Sequence, residues 1–177
     1  MLFPFNSFKP KIHPSVFIHP AAMVTGQVSL SARVSVWPGV SIRADFQPVK
    51  IGEASNIQDN AVLHVTPKQG VRVGKFVSIG HGAIVHACTI GDHCIVGMGS
   101  VVLSGARIGK DCMLAAGTVI LENARIPAGS LVAGVPGKVK RRLSKAEQRA
   151  LKGNAVEYLE LAIAYRGSKK NKAKNAK

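Results

Sequence analysis

Three histidines, His64, His81 and His86, are the residues of this 177-residue chain best placed to do chemistry. Three neutral imidazoles on one ion leave a coordination position open, which is the arrangement of a catalytic zinc rather than of a closed structural one. Whether the three can meet depends on the elements that carry them.

Those elements follow from an internal repeat. Aliphatic residues recur at a spacing of six from Ile84 through Ile90, Val96, Val102, Ile108, Leu114, Ile120 and Ile126 to Val132. Four residues after most of these stands a small one: Cys94, Ser100, Ala106, Cys112, Thr118, Ala124 and Ser130. Earlier runs are Val16, Ala22, Val28, Val34, Val40, then Ile51, Ile57, Leu63, then Val73, Ile79, Val85, the last one residue out of step with Ile84. One branched and one small residue per unit suit a coil of three short strands, with both positions facing inward. Glycines just after the aliphatic, such as Gly74 and Gly91, are expected to relax the corners. The expected fold is all-β with a C-terminal α segment: a parallel β-helix shaped as a triangular prism, its coils stacked at about 4.8 Å.

On this prism His64 and His86 each follow an inward aliphatic, Leu63 and Val85, whose separation of 22 is one 18-residue coil plus a short insertion. The two imidazoles therefore stack on one face, close enough to share an ion. His81 stands two residues after Ile79, near a corner of another face, where it cannot easily turn to the pair on its own chain. It could reach the pair of a neighbour, so a trimer would hold one three-histidine site at each interface. His13, His19 and His93 are expected to be ordinary surface residues.

The composition, 46% hydrophobic and 5% aromatic, suits a prism filled by valine and isoleucine. No stretch reaches the roughly 18 uncharged apolar residues of a membrane span, and the N-terminus lacks a basic, apolar leader pattern. The chain is expected to be cytoplasmic. Three cysteines make no disulfide framework; Cys94 and Cys112 take inward slots, and Cys88 lies near one. The net charge of +15 divides into +5 over residues 1–137 and +10 over 138–177. That split defines three parts: a β-helix domain (1–137), a helical segment packed on the prism (138–166) and a disordered lysine-rich tail (167–177). Ser144 and Glu147 form a capping box, and Leu151, Ala155, Tyr158, Ala162 and Tyr165 recur at helical spacing, with a break allowed at Gly153-Asn154. The tail has no aromatic residue for base stacking, which argues against a nucleic-acid partner.

Four segments are similar to the gamma-class carbonic anhydrase family: Trp37-Pro38-Gly39-Val40-Ser41-Ile42-Arg43-Ala44-Asp45, Asn56-Ile57-Gln58-Asp59-Asn60-Ala61-Val62-Leu63-His64, Ile79-Gly80-His81-Gly82-Ala83-Ile84-Val85-His86 and Ile90-Gly91-Asp92. The resemblance spans about residues 10–166. It implies a left-handed β-helix, a homotrimer, and hydration of carbon dioxide to bicarbonate on zinc, with iron(II) or cobalt(II) as alternative metals. It also implies ligands His64 and His86 from one subunit and His81 from the next. Gln58 matches the family glutamine that orients the reacting water. Arg43 and Asp45 match its ion-pairing residues at the subunit boundary, Asn56 and Asp59 extend that network, and Tyr158 falls where some relatives carry a polar site residue.

Two places depart from the family's best-studied pattern. Phe46 stands where a proton-transferring glutamate follows the Arg-x-Asp segment, and the loop Val65-Thr66-Pro67-Lys68-Gln69-Gly70 holds no carboxylate. Two alternatives therefore stay open beside the anhydrase: an acyl-CoA transferase or thioesterase on the same fold, and a non-catalytic metal-binding trimeric assembly protein.

Overall fold

The computed structural model describes residues 1–174. Nearly all the strands pair in parallel and wind into a β-solenoid of about seven turns, with one C-terminal helix packed along its side. Three faces result. The first carries Val62–His64, Ile84–His86, Val101–Val102 and Val119–Ile120, joined to the leading parts of two long strands, Met23–Leu30 and Ser41–Ile51. The second runs from Phe17–Ile18 through Asn56–Ile57 and Ser78–Ile79 to Ser130–Ala133. The third holds the trailing parts of the long strands, then Val71–Val73, Thr89–Ile90, Arg107–Ile108 and Arg125–Ile126.

The interior is the expected stack of aliphatics, with Ile42, Leu63, Val85, Val102 and Ile120 on successive rungs of the first face, all fully buried. Cys88, Cys94 and Cys112 are buried free thiols, as small packing residues should be, and burial pushes Cys88 up to about 12. Ile84 departs from the six-residue series: it points outward, 41% exposed, and Val85 is the inward residue. The slip falls between Val85 and Ile90, where a three-residue strand meets a shortened corner.

The glycines that directly follow an inward aliphatic serve close stacking rather than permissive dihedrals, whereas Gly82, Gly99 and Gly117 later in the corners take positive φ. A Cβ on Gly91 would lie 2.6 Å from the amide nitrogen of Lys110 on the next coil, and the positive φ of that corner sits at His93 (58°). His93 is not a bare surface residue either, because its Nδ1 lies 3.0 Å from Oδ1 of Asp111, one coil on.

Beyond residue 137 the chain does not go straight into a helix. Lys138–Arg142 is a strand, antiparallel to Ser130–Ala133, which closes the open end of the second face. Its basic residues lie along a solvent-exposed edge, a composition that suits edge strands. Helix α1 (Lys145–Lys174) then begins on the capping box: the Glu147 amide donates to Ser144 Oγ at 3.2 Å, and the Ser144 amide donates to Glu147 Oε2 at 2.8 Å. Arg141 and these Ser144 contacts lower the Glu147 carboxyl to about 2. The helix continues through Gly153 without a break, and its backbone extends into the segment assigned to the tail; residues 175–177 lie outside the described residues. Leu151, Ala155 and Ala162 are buried, and Ala162 and Tyr158 pack on Phe17 and Trp37. Arg166 ties the helix to the N-terminal coil by donating to the carbonyls of Pro14, Ser15 and Val16. Among the described residues no helix is long and apolar enough to cross a membrane.

Candidate metal centre

Parallel pairing sets Arg43, His64 and His86 side by side on three consecutive rungs of the first face. All three point outward because each follows a fully buried aliphatic. His64 Nδ1 lies 3.1 Å from His86 Nε2, while His64 Nε2 lies 3.3 Å from Asp45 Oδ2. Asp45, 7% exposed at its side chain, also pairs with the Arg43 guanidinium. A carboxylate only accepts, so Asp45 holds the His64 proton on Nε2 and leaves the Nδ1 lone pair facing His86. His86 Nδ1 is 2.9 Å from Ser104 Oγ. Burial, and then the charge of His64, lowers the pKa of His86, which favours the neutral form that a metal requires.

The remaining candidates gather on the second face and its corner. Asn56 Nδ2 donates to Ser78 Oγ at 2.9 Å, and Gln58 Nε2 donates to Asn56 Oδ1 at 3.0 Å. Gln58, 6% exposed, thus has its amide nitrogen committed and its carbonyl oxygen available as an acceptor. At the corner His81 Nδ1 lies 3.0 Å from Asp59 Oδ2, and Tyr158 on α1 brings its hydroxyl to 3.4 Å from His81 Nε2. Tyr158 stacks edge-on against Trp37, with ring centroids 5.4 Å apart. Burial and the nearby Asp59 raise its pKa, so at neutral pH it remains a phenol.

The candidates therefore form two sets on one chain: Arg43, Asp45, His64 and His86, and separately Asn56, Gln58, Asp59, His81 and Tyr158. Among the described residues no group of three His, Cys, Asp or Glu side chains is placed to hold a metal within a single chain. Ser104 and Ser78 are the partners that motif reasoning missed. Ser104 stands 18 residues after His86, one full coil, so the repeat itself carried the signal.

The chemistry of the donor set fits zinc. Zn–N bonds of about 2.0–2.1 Å in a tetrahedron put two ligand nitrogens roughly 3.3 Å apart, and His64 and His86 already present nitrogens 3.1 Å apart. Each histidine also has a second nitrogen engaged by Asp45, Ser104 or Asp59, the outer-shell support that orients metal-binding imidazoles.

Comparisons with known proteins agree with this architecture. The family model for bacterial transferase hexapeptide (six repeats) matches residues 87–121. A Methanocaldococcus jannaschii protein named "Probable carbonic anhydrase" is 46% identical, the match covering 85% of this chain and 95% of that protein. A Geobacillus kaustophilus protein named carbonic anhydrase is 39% identical over 94% of this chain and 91% of its own length. The crystal structure of a hexapeptide transferase family protein from Anaplasma phagocytophilum superposes with a TM-score of 0.89 at 36% identity, covering 93% of this chain and 98% of that one. With relatives of this similarity matched over nearly their whole length, the chain belongs to the gamma-class carbonic anhydrase family of hexapeptide-repeat proteins.

Proposed function

We propose that this protein is a metal-dependent carbonic anhydrase that hydrates carbon dioxide to bicarbonate at the interfaces of a homotrimer. The observation that carries the proposal is the pairing of His64 and His86 on one face with His81 held apart at another corner, its Nδ1 engaged by Asp59. Neither half makes a three-ligand site alone. Two copies together do. The first face also exposes an apolar column beside the histidines, with Val62 at 37% and Ile84 at 41%, which supports its burial against another copy.

His64 Nδ1, His86 Nε2 and Nε2 of His81 from a neighbouring copy would hold zinc. Once bound, zinc lowers the pKa of water from 15.7 towards about 7 and so supplies a nucleophile at neutral pH. The chain's own residues do the rest. Asp45 keeps the His64 proton on Nε2, and Ser104 Oγ can accept a hydrogen bond from His86 Nδ1–H, so both imidazoles turn a lone pair to the ion. The Gln58 carbonyl oxygen can accept a hydrogen bond from the reacting water and so turn the water's lone pair towards the carbon. The half-exposed Arg43 guanidinium stands beside the pair and can neutralise the bicarbonate that forms.

Export of the proton is the weak point. Phe46 follows Asp45 and is 53% exposed, so an apolar ring occupies the approach that a carboxylate relay would use. Turnover should therefore depend steeply on buffer, and Phe46→Glu should raise it on the order of tenfold at low buffer, a part of the 10²–10⁴ that positioned acid–base groups contribute. Unchanged buffer dependence would count against this explanation. Stopped-flow hydration of carbon dioxide by zinc-, cobalt- and anaerobically iron(II)-loaded protein in strong buffer tests the activity itself; inactivity at full metal occupancy contradicts it.

One observation favours a second reading, a transferase or thioesterase. A cleft of about 350 Å³ beside His81 is lined by Ile95, Met98, Met113, Asn154 and Tyr158, and that volume exceeds what carbon dioxide requires. Activity on acyl thioesters that survives metal removal would select it.

A further inference from the structure

The third face carries a column of cations. Parallel register puts Lys50, Arg72, Thr89, Arg107 and Arg125 on five consecutive rungs, all exposed. Lys11 and Ser29 continue the column towards the N-terminus. No carboxylate stands in it. Among the described residues, none of Lys50, Arg72, Arg107 and Arg125 belongs to an ion pair; the six pairs present lie elsewhere on the molecule. Like charges stacked at strand spacing repel one another, so an unneutralised column is a cost that bound anions would relieve.

The column is also shaped. Thr89 is short and flanked one rung on either side by arginine, which leaves a notch between Arg72 and Arg107. A hollow of about 260 Å³ opens there, lined by Lys50, Arg72, Thr89 and Arg107 together with the amide side chains of Gln47 and Gln69. Six of the twelve lining residues thus carry side-chain hydrogen-bond donors.

We propose that this notch binds a short linear oligophosphate. Arg72 and Arg107 are two rungs, about 9.6 Å of backbone, apart along the face, so a phosphate chain lying along the prism can engage each guanidinium with its own phosphate, whereas one compact anion would have to draw the two like-charged side chains together over Thr89. The face has no aromatic residue for stacking a base, so recognition rests on the phosphates. The site is separate from the histidine pair, and the inference does not depend on the hydration chemistry.

Calorimetric titration of the full-length protein with inorganic tripolyphosphate, orthophosphate and ATP tests it. Tripolyphosphate is expected to bind at least about tenfold tighter than orthophosphate, and Arg72→Gln/Arg107→Gln to weaken tripolyphosphate by about tenfold or more, the equivalent of about 1.4 kcal/mol. Thr89→Phe fills the notch at unchanged charge and should weaken binding too. Lys138→Gln/Lys140→Gln removes the same charge from another exposed strand and should change binding by less than about twofold. ATP matching tripolyphosphate assigns the site to a nucleotide's phosphate chain; much weaker ATP binding assigns it to inorganic oligophosphate. Equal losses in both double variants, or binding indifferent to Thr89→Phe, overturn the proposal by showing only diffuse charge attraction. Thermal melts confirm that the variants are folded.

Discussion

His81→Ala should strip zinc from every interface, although His64 and His86 remain intact on the same chain. Removing one of three protein ligands should lower zinc affinity by at least about 100-fold, beyond the 10–100-fold typical of losing an outer-shell partner. The prism should hardly notice. His81 sits exposed at a corner, its side chain touching Asp59 and Tyr158, so the melting temperature of metal-free protein should stay within a few degrees of the parent. Equilibrium dialysis against zinc with atomic absorption reads the affinity. Full occupancy in the variant would mean that the histidine pair recruits its third ligand from its own chain.

Asp45→Asn should act on the same site by a different route. Asp45 accepts from His64 Nε2 and pairs with Arg43 while almost fully buried. An asparagine can turn its NH₂ towards the imidazole and demand a lone pair at Nε2, which would put the proton on Nδ1, where the metal should be. The expected result is a loss of 10–100-fold in zinc affinity and activity. Asp45→Ala should weaken zinc less than Asp45→Asn, because water can replace the lost acceptor without imposing the wrong tautomer. The reverse order would show that Asp45 acts only as a charge.

These results would separate two kinds of information in the chain. The six-residue beat was legible because a narrow prism accepts only branched and small side chains inside, and it placed His64 and His86 on one face through Leu63 and Val85. It misplaced Ile84, since periodicity alone cannot locate a shortened corner. The same limit applies at Lys138–Arg142: a run of basic residues after Gly137 looks like the approach to a helix, and only pairing with Ser130–Ala133 makes it a strand. Ser104 and Ser78 carry no motif, and they become visible when residues are compared one coil apart. The cation column on the third face is of this kind too. Lys50, Arg72, Arg107 and Arg125 are scattered in sequence and become neighbours in line once the coils are stacked. His93 shows the converse, a residue without any motif whose partner Asp111 again stands one coil away.

The family resemblance contributed what spacing could not, namely the roles expected of Gln58 and Arg43. The structure adds the reason Gln58 can fill such a role: its amide nitrogen is taken by Asn56, which is itself held by Ser78. Phe46 marks where this chain diverges, and it makes the rate of proton export, rather than metal binding, the expected weakness.

Complementation between two defective chains tests the shared site most directly. His64→Ala and His81→Ala should each be depleted of zinc and inactive alone. Co-expressed in equal amounts and randomly assembled as trimers, about one quarter of interfaces would join an intact His64–His86 pair to an intact His81. Zinc content and carbon dioxide hydration should therefore return to about one quarter of the parent level. Mixed protein that stays as empty and inactive as the separate variants, despite verified heterotrimers, would contradict a site shared between subunits.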